Sequence, residues 1–288
     1  MKIWIMASRP KTLWIAVSPV IMGTGLAFAD GGFHLYASLC ALIGAVLIQI
    51  GANLANDYYD HMKGADSAER KGPLRVTHAG LVSASAMKRA VFIVFMLAFI
   101  SGIYLIWRGG WPILLIGILS ILFGILYTGG PYPIGYIGLG ELFVFVFFGL
   151  VAVSGTYYVQ TLSLHAVPVL AGIAPGLFSS AILAVNNLRD VDEDRKSGKM
   201  TLAVRYGRTF TKLEYLLCVV LACLVPILLV SVTGSHFTAL AAVLSVFPAI
   251  PLIKTVYTEE GAVLNHVLAG TGRLLFVFSM IFTAGWII

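Results

Sequence analysis

Runs of about 20 apolar residues, separated by short polar loops, recur along the whole of this 288-residue chain. A helix needs roughly that many to cross the hydrocarbon core of a bilayer, and a crossing helix satisfies every backbone group internally. Nine runs meet the criterion, at 12–29, 33–56, 86–107, 111–129, 141–160, 166–188, 212–233, 235–256 and 264–288. The expectation is an all-α integral membrane protein of about nine spans, in one domain over residues 1–288. The basic start, residues 1–11, reads as the flank of the first span. Composition agrees, with 59% hydrophobic and 11% charged residues, against about 25% charged in a soluble domain. A soluble enzyme, a disordered chain and a nucleic-acid binder are thereby excluded. Cys40, Cys218 and Cys223 all fall inside apolar runs, which gives neither a disulfide framework nor a zinc spacing.

The charges orient the chain. Of 19 Lys and Arg residues, 17 fall at the start, in the loops after the second and sixth spans, and at the end of the eighth. Basic residues collect in cytoplasmic loops. The expectation is therefore a protein of the cell membrane with its N-terminus inside, its C-terminus outside and its polar site facing the cytoplasm.

Two acidic clusters end even-numbered spans. The second span closes on Asn53-Leu-Ala-Asn56-Asp57-Tyr-Tyr-Asp60, and the sixth on Asn186-Asn187-Leu-Arg189-Asp190-Val-Asp192-Glu-Asp194. The offset of 133 residues from Asp57 to Asp190 equals about four spans. Two pseudo-repeated four-helix units plus a ninth helix would explain it. Residues three or four apart share a helix face, so each span end presents carboxylates beside amide oxygens. Carboxylates crowded at a helix C-terminus repel each other and the macrodipole, so something cationic must offset them. Mg²⁺ takes oxygen ligands and bridges one or two carboxylates to phosphate oxygens. Two facing clusters fit two such ions with a diphosphate between them, and nearby Lys and Arg would neutralise the remaining phosphate charge. Metal and bases together would stabilise a departing diphosphate.

The residues then resemble a known family. Asn56-Asp57-x-x-Asp60 and Asp190-x-x-x-Asp194 look like the paired Asp-rich motifs of the UbiA superfamily of nine-helix intramembrane prenyltransferases. The branch it most resembles prenylates 1,4-dihydroxy-2-naphthoate in menaquinone synthesis. That likeness rests on Ser8-Arg-Pro-Lys-Thr-Leu13, Lys63-Gly-Ala-Asp66, Arg70-Lys-Gly-Pro-Leu-Arg75, Tyr127-Thr-Gly-Gly-Pro-Tyr-Pro133, Tyr136-Ile-Gly-Leu-Gly-Glu141 and Gly198-Lys-Met-Thr-Leu-Ala-Val-Arg205. The resemblance implies that a polyprenyl diphosphate binds through Mg²⁺, ionises, and alkylates the naphthoate with loss of diphosphate and CO₂, giving demethylmenaquinone. Carried over by position, Asn56, Asp60, Asp190 and Asp194 would form the metal-binding core, with Asp57 close by. Asp66 stands near a third acid of the wider superfamily, whose own place is taken by Gly64. Lys63, Arg70, Arg75, Lys199 and Arg205 would serve the diphosphate or a lid over it. Asn53, Tyr127, Asn187 and Arg189 complete the expected substrate-binding set.

Two other readings fit part of this pattern. A relative with another acceptor would share the acidic motifs, but Gly129-Gly-Pro-Tyr-Pro133 stands where the hydroxybenzoate branch carries a basic residue. A secondary transporter would also have many spans and a repeat, yet its site belongs at broken helices near the bilayer midplane. Here the carboxylates sit at span ends.

Overall fold

The computed structural model describes residues 2–64 and 71–288, and every regular element among them is helical. We number these α1 (Lys2–Ser8), α2 (Trp14–Ala29), α3 (Leu35–Met62), α4 (Ala84–Gly109), α5 (Trp111–Leu126), α6 (Gly140–Thr161), α7 (Ala166–Lys196), α8 (Leu202–Thr233), α9 (Phe237–Thr258) and α10 (Gly261–Ile287). The loops carry the residues that start and stop helices. Ser83 and Thr201 precede α4 and α8 in extended backbone, and their hydroxyls accept from the Ala86 and Val204 amides. Such caps satisfy donors that a first helical turn leaves unpaired. Gly234, at φ 65°, ends α8 in left-handed backbone, where glycine bears no Cβ penalty.

Among the described residues, seven helices (α3, α4 and α6 to α10) are long and apolar enough to cross a membrane. The eighth span is bent by 54° between residues 2–12 and α2. Helix α5 is apolar but has only 16 residues, roughly 24 Å at 1.5 Å per residue, less than the ~30 Å hydrocarbon core. By length and composition seven helices meet the criterion, or eight with the bent pair, so the expected count of nine is not confirmed. The apolar run at 111–129 overstates α5, because its last residues already turn into the loop at Tyr127.

Helix α7 is the axis of the fold. Of its most apolar window 61% is buried, against 17% for α4, which faces outward. Phe178, Ala181, Val185 and Leu188 of α7 join Met22 and Leu26 of α2, Tyr215 and Val219 of α8, and Phe278 and Phe282 of α10 in the main core. Helix α6 crosses α7 at very short range. A Cβ on Gly149 would lie 2.8 Å from the Gly176 nitrogen, so only glycine permits the approach. Gly149 sits in a π-helical turn, Val146–Val151, inside α6. This packing aims the C-terminal ends of α3 and α7 at one shared space.

Candidate active site

The last two turns of α3 supply one wall. Asn53 donates to the Ser8 carbonyl at 2.9 Å and to Thr12 Oγ1 at 3.0 Å, which fixes the bent N-terminal segment against α3. Asn56 accepts from Thr128 Oγ1 at 2.8 Å. Asp60, buried to 1% exposure, is held by three groups from three different segments. Arg75 Nη2 lies 2.6 Å from Oδ2, while the Tyr136 hydroxyl at 2.8 Å and Lys199 Nζ at 3.3 Å donate to Oδ1.

Asp57 does something else. Its Oδ2 accepts from the Val76 amide and its Oδ1 from the Thr77 amide, both at 3.0 Å. Both oxygens are thus engaged by backbone, and the side chain is not among the groups that line the cavity. Asp57, expected among the metal ligands, here anchors the segment that carries Arg75.

The last turns of α7 supply the opposite wall. Asp190 is gripped in a fork by the neighbouring Arg189, with Nε to Oδ1 and Nη2 to Oδ2 both at 2.6 Å. Arg189 also donates to Asn265 Oδ1 and Asn186 Oδ1, and is 1% exposed. Arg189 therefore neutralises Asp190 from behind and does not face the cavity, as a substrate-binding role had required. Asn187 donates to Glu141 Oε1 at 2.7 Å. Asp194 is buried and lines the cavity, as do Glu193 and Asn186. Exposed Asp192 pairs outward with Arg208 at 2.8 Å and Lys71 at 3.5 Å.

Loops close the mouth. Lys63 and Lys199 each place Nζ 4.7 Å from the centre of the Tyr136 ring, a cation–π arrangement. Lys63 also donates to the Thr128 and Gly130 carbonyls at 2.7 and 3.2 Å. Partial burial lowers its pKa below the ordinary lysine value; Lys199 adds to this and Asp60 opposes it. Burial pushes the Tyr127 hydroxyl up, helped by Glu141, Asp194 and Asp60. Burial and then Asp60 do the same for Tyr136. Both phenols therefore remain protonated donors. Both tyrosines line the cavity that the two acidic walls share. Arg205, expected at the diphosphate, is exposed and donates to the Met200 and Ile137 carbonyls. It ties two loops together from outside.

Asn53, Asn56, Asp60, Arg75, Tyr127, Asn187, Asp190, Asp194 and Lys199 thus line one cavity of about 400 Å³. Asp66 and Arg70 lie outside the described residues. Tyr136, Thr128, Glu141 and Arg9 line or support the same site without a role among the expected residues: Tyr136 and Thr128 carry no charge, and Arg9 and Glu141 lie outside the two acidic clusters. Below the polar mouth the walls become apolar, with Ile48, Ile116, Ile121 and Phe147 among them. The donor set is hard oxygen throughout, carboxylate and amide, which suits Mg²⁺. Among the described residues no three of His, Cys, Asp or Glu converge to hold an ion by themselves. A small ion of this kind characteristically takes one or two carboxylates and leaves its other positions to water and substrate phosphate, so the donor set fits.

Comparison with known proteins gives a consistent picture. The model of the UbiA prenyltransferase family matches residues 16–280. A 1,4-dihydroxy-2-naphthoate octaprenyltransferase of Haemophilus influenzae is 36% identical over 301 residues, covering 100% of this chain and 96% of its own. The enzyme of the same name from Escherichia coli is 41% identical over 239 residues, covering 81% of this chain and 77% of its own. In fold, the chain is similar to a UbiA homolog from Archaeoglobus fulgidus whose structure holds DMAPP and Mg²⁺. That likeness has a TM-score of 0.68 at 14% identity and covers 98% of each chain.

Proposed function

This chain belongs to the UbiA prenyltransferase family, and from that premise we propose that its cavity is where a polyprenyl diphosphate meets 1,4-dihydroxy-2-naphthoate. The protein is an integral membrane prenyltransferase of menaquinone synthesis. One observation carries the assignment of the site: Asp60 on α3 and Asp190 and Asp194 on α7, 130 and 134 residues further along the chain, line one cavity that runs from a basic mouth into an apolar interior. We read the whole of residues 1–288 as one such domain.

In this reading the diphosphate sits at the mouth. Asn56, Asp60, Asp190 and Asp194 would hold the Mg²⁺, as two ions, whose chemistry is Lewis-acid stabilisation of the leaving diphosphate. Arg75, Lys199 and Lys63 offer positive charge, with Arg75 and Lys199 held in place by Asp60. The Tyr127 and Tyr136 hydroxyls are fixed donors at the same level. The bond from the allylic carbon to oxygen breaks, its electron pair leaves with the diphosphate, and the electron-rich ring attacks the cation. Release of CO₂ leaves the electron pair of the broken C–C bond on the ring and yields the hydroquinone, demethylmenaquinol, which a separate two-electron oxidation converts to demethylmenaquinone. The apolar interior takes the isoprenoid tail and keeps water from the cation.

The site faces the cytoplasm on this reading. Arg9 and Thr12 near the N-terminus line the cavity, whereas α10 runs away from it to Trp286, stacked on His236 at the other end. That supports an N-terminus inside and a C-terminus outside.

The test is prenyl transfer by detergent-solubilised protein with a polyprenyl diphosphate, Mg²⁺ and either 1,4-dihydroxy-2-naphthoate or 4-hydroxybenzoate, with and without EDTA. The expected result is product from the naphthoate alone, abolished by EDTA. Product from the benzoate alone would overturn the acceptor; no diphosphate release with either would overturn the site.

A further inference from the structure

The apolar part of the cavity contains glycines that helix packing does not explain. A glycine inside a helix costs about 1 kcal/mol relative to alanine. In membrane helices the usual compensation is close contact between helices. Gly23 and Gly51 follow that rule, since a Cβ on either would lie 2.6 Å from Val153 O or Phe95 Cε1. Gly102 on α4 and Gly117 on α5 do not. Both line the cavity, and a Cβ on either would meet no atom within 4 Å. What a side chain there would occupy is open space.

Their depth can be read from α3. Gly44 is the α3 residue whose Cβ would touch Ser101, the neighbour of Gly102, at 3.4 Å. Gly44 precedes Asp60 by 16 residues, which sets this level roughly 24 Å below the acids at 1.5 Å per residue. With C–C bonds of about 1.5 Å, an extended isoprene unit of four main-chain bonds spans roughly 5 Å. A donor of two units therefore ends well above Gly102, and an eight-unit tail that stays in the cavity reaches past it. A second observation also points to an occupant of the deep cavity. Ser179 of α7 lines it, is 1% exposed, and its hydroxyl has no hydrogen-bond partner. Orphaned buried hydroxyls of this kind call for a ligand or its accompanying water.

Resting on the function proposed above, we infer that Gly102 and Gly117 set the bore through which the far end of a long prenyl tail passes, and so determine how long a donor the enzyme accepts. A leucine at either position fills that bore while leaving the mouth and the first isoprene units untouched.

The experiment compares geranyl diphosphate (two units) with octaprenyl diphosphate (eight) as donors to the naphthoate, in wild type, Gly102→Leu and Gly117→Leu. Initial rates at subsaturating donor give the ratio of kcat/KM for the two donors. We expect each variant to lower the octaprenyl-to-geranyl ratio at least tenfold, with geranyl transfer within about threefold of wild type. An unchanged ratio in active variants overturns the inference, because the tail then leaves the cavity above these glycines. Should a leucine variant be inactive with both donors, Gly102→Ala and Gly117→Ala decide. A falling ratio supports the bore and a constant one refutes it. Failure of the underlying function has a different signature: wild type itself makes no product from either donor.

Discussion

Asp57→Asn separates anchoring from metal binding. In the wild type, two backbone amides, Val76 and Thr77, each lie 3.0 Å from one carboxylate oxygen of a side chain that is 2% exposed. Hydrogen bonds to charged groups contribute about 1.5–3 kcal/mol each, and a buried unsatisfied donor costs about as much. Asparagine keeps one acceptor oxygen and sets an NH₂ group against the other amide. One bond is lost and two donors face each other, so the expected destabilisation is about 2–3 kcal/mol. At roughly 2–4 °C per kcal/mol for a chain of this size class, Tm should fall by about 4–12 °C. The segment that loosens begins at Arg75, the partner of Asp60, so turnover should also drop, about tenfold. The Mg²⁺ concentration for half-maximal rate should stay within about twofold, because Asp57 lies away from the cavity. Thermal unfolding in one detergent and rate against Mg²⁺ concentration are both required. A variant with unchanged Tm and a tenfold higher Mg²⁺ requirement would refute the anchoring argument and return Asp57 to the ligand set.

Three other outcomes follow from the same geometry. Asp190→Asn should cut turnover at least about 100-fold and lower Tm, since Arg189 loses its buried counter-charge; near-normal Mg²⁺-dependent turnover would remove Asp190 from the site. Tyr136→Phe loses the bond to Asp60 but keeps the ring beneath Lys63 and Lys199, so kcat/KM should fall about tenfold, and further in Tyr136→Leu; equal losses in the two variants would show that the ring contributes nothing. Lys63 loses its proton below the pH at which an ordinary lysine would, so the alkaline fall in kcat/KM should move upward in pH in Lys63→Arg, and an unmoved limb would assign that fall to another group.

Much of the site was legible because charge inside an apolar chain has few structural uses. Asp60, Asp190 and Asp194 stand out for that reason, with the polar Asn56 beside them, and the fold brings all four to one cavity. Asp57 shows where sequence pattern runs out. At about 100° per residue, Asn53, Asn56 and Asp60 fall within about 60° of one another, while Asp57 lies about 100° around from Asn56. Spacing admits it as a neighbour, and only the position of residues 76 and 77 decides that it turns outward. Arg189 and Arg205 show the same limit of spacing. A cation near a diphosphate motif suggests a phosphate ligand, but Arg189 is consumed by Asp190 and Arg205 by two carbonyls. Tyr136 had no charge to signal it, and its role arises only where loops from three parts of the chain meet.

The pairing of each acid with a base has a consequence for how the site works. Asp60 faces Arg75 and Lys199, and Asp190 faces Arg189, so these two buried acids are nearly neutralised from within the chain. Isolated carboxylates so little exposed would be driven to protonate. Guanidinium and ammonium groups stand against Asp60 and Asp190 instead, and offset that cost. The same pairing limits what the bases offer an arriving diphosphate, since Arg75 and Lys199 are already attracted to Asp60. On the proposed function the anion gains little by entering alone, and the acids gain little by taking a cation alone. Donor and Mg²⁺ arriving together satisfy both at once. That favours joint filling of the polar mouth by the diphosphate and Mg²⁺ over entry of either alone.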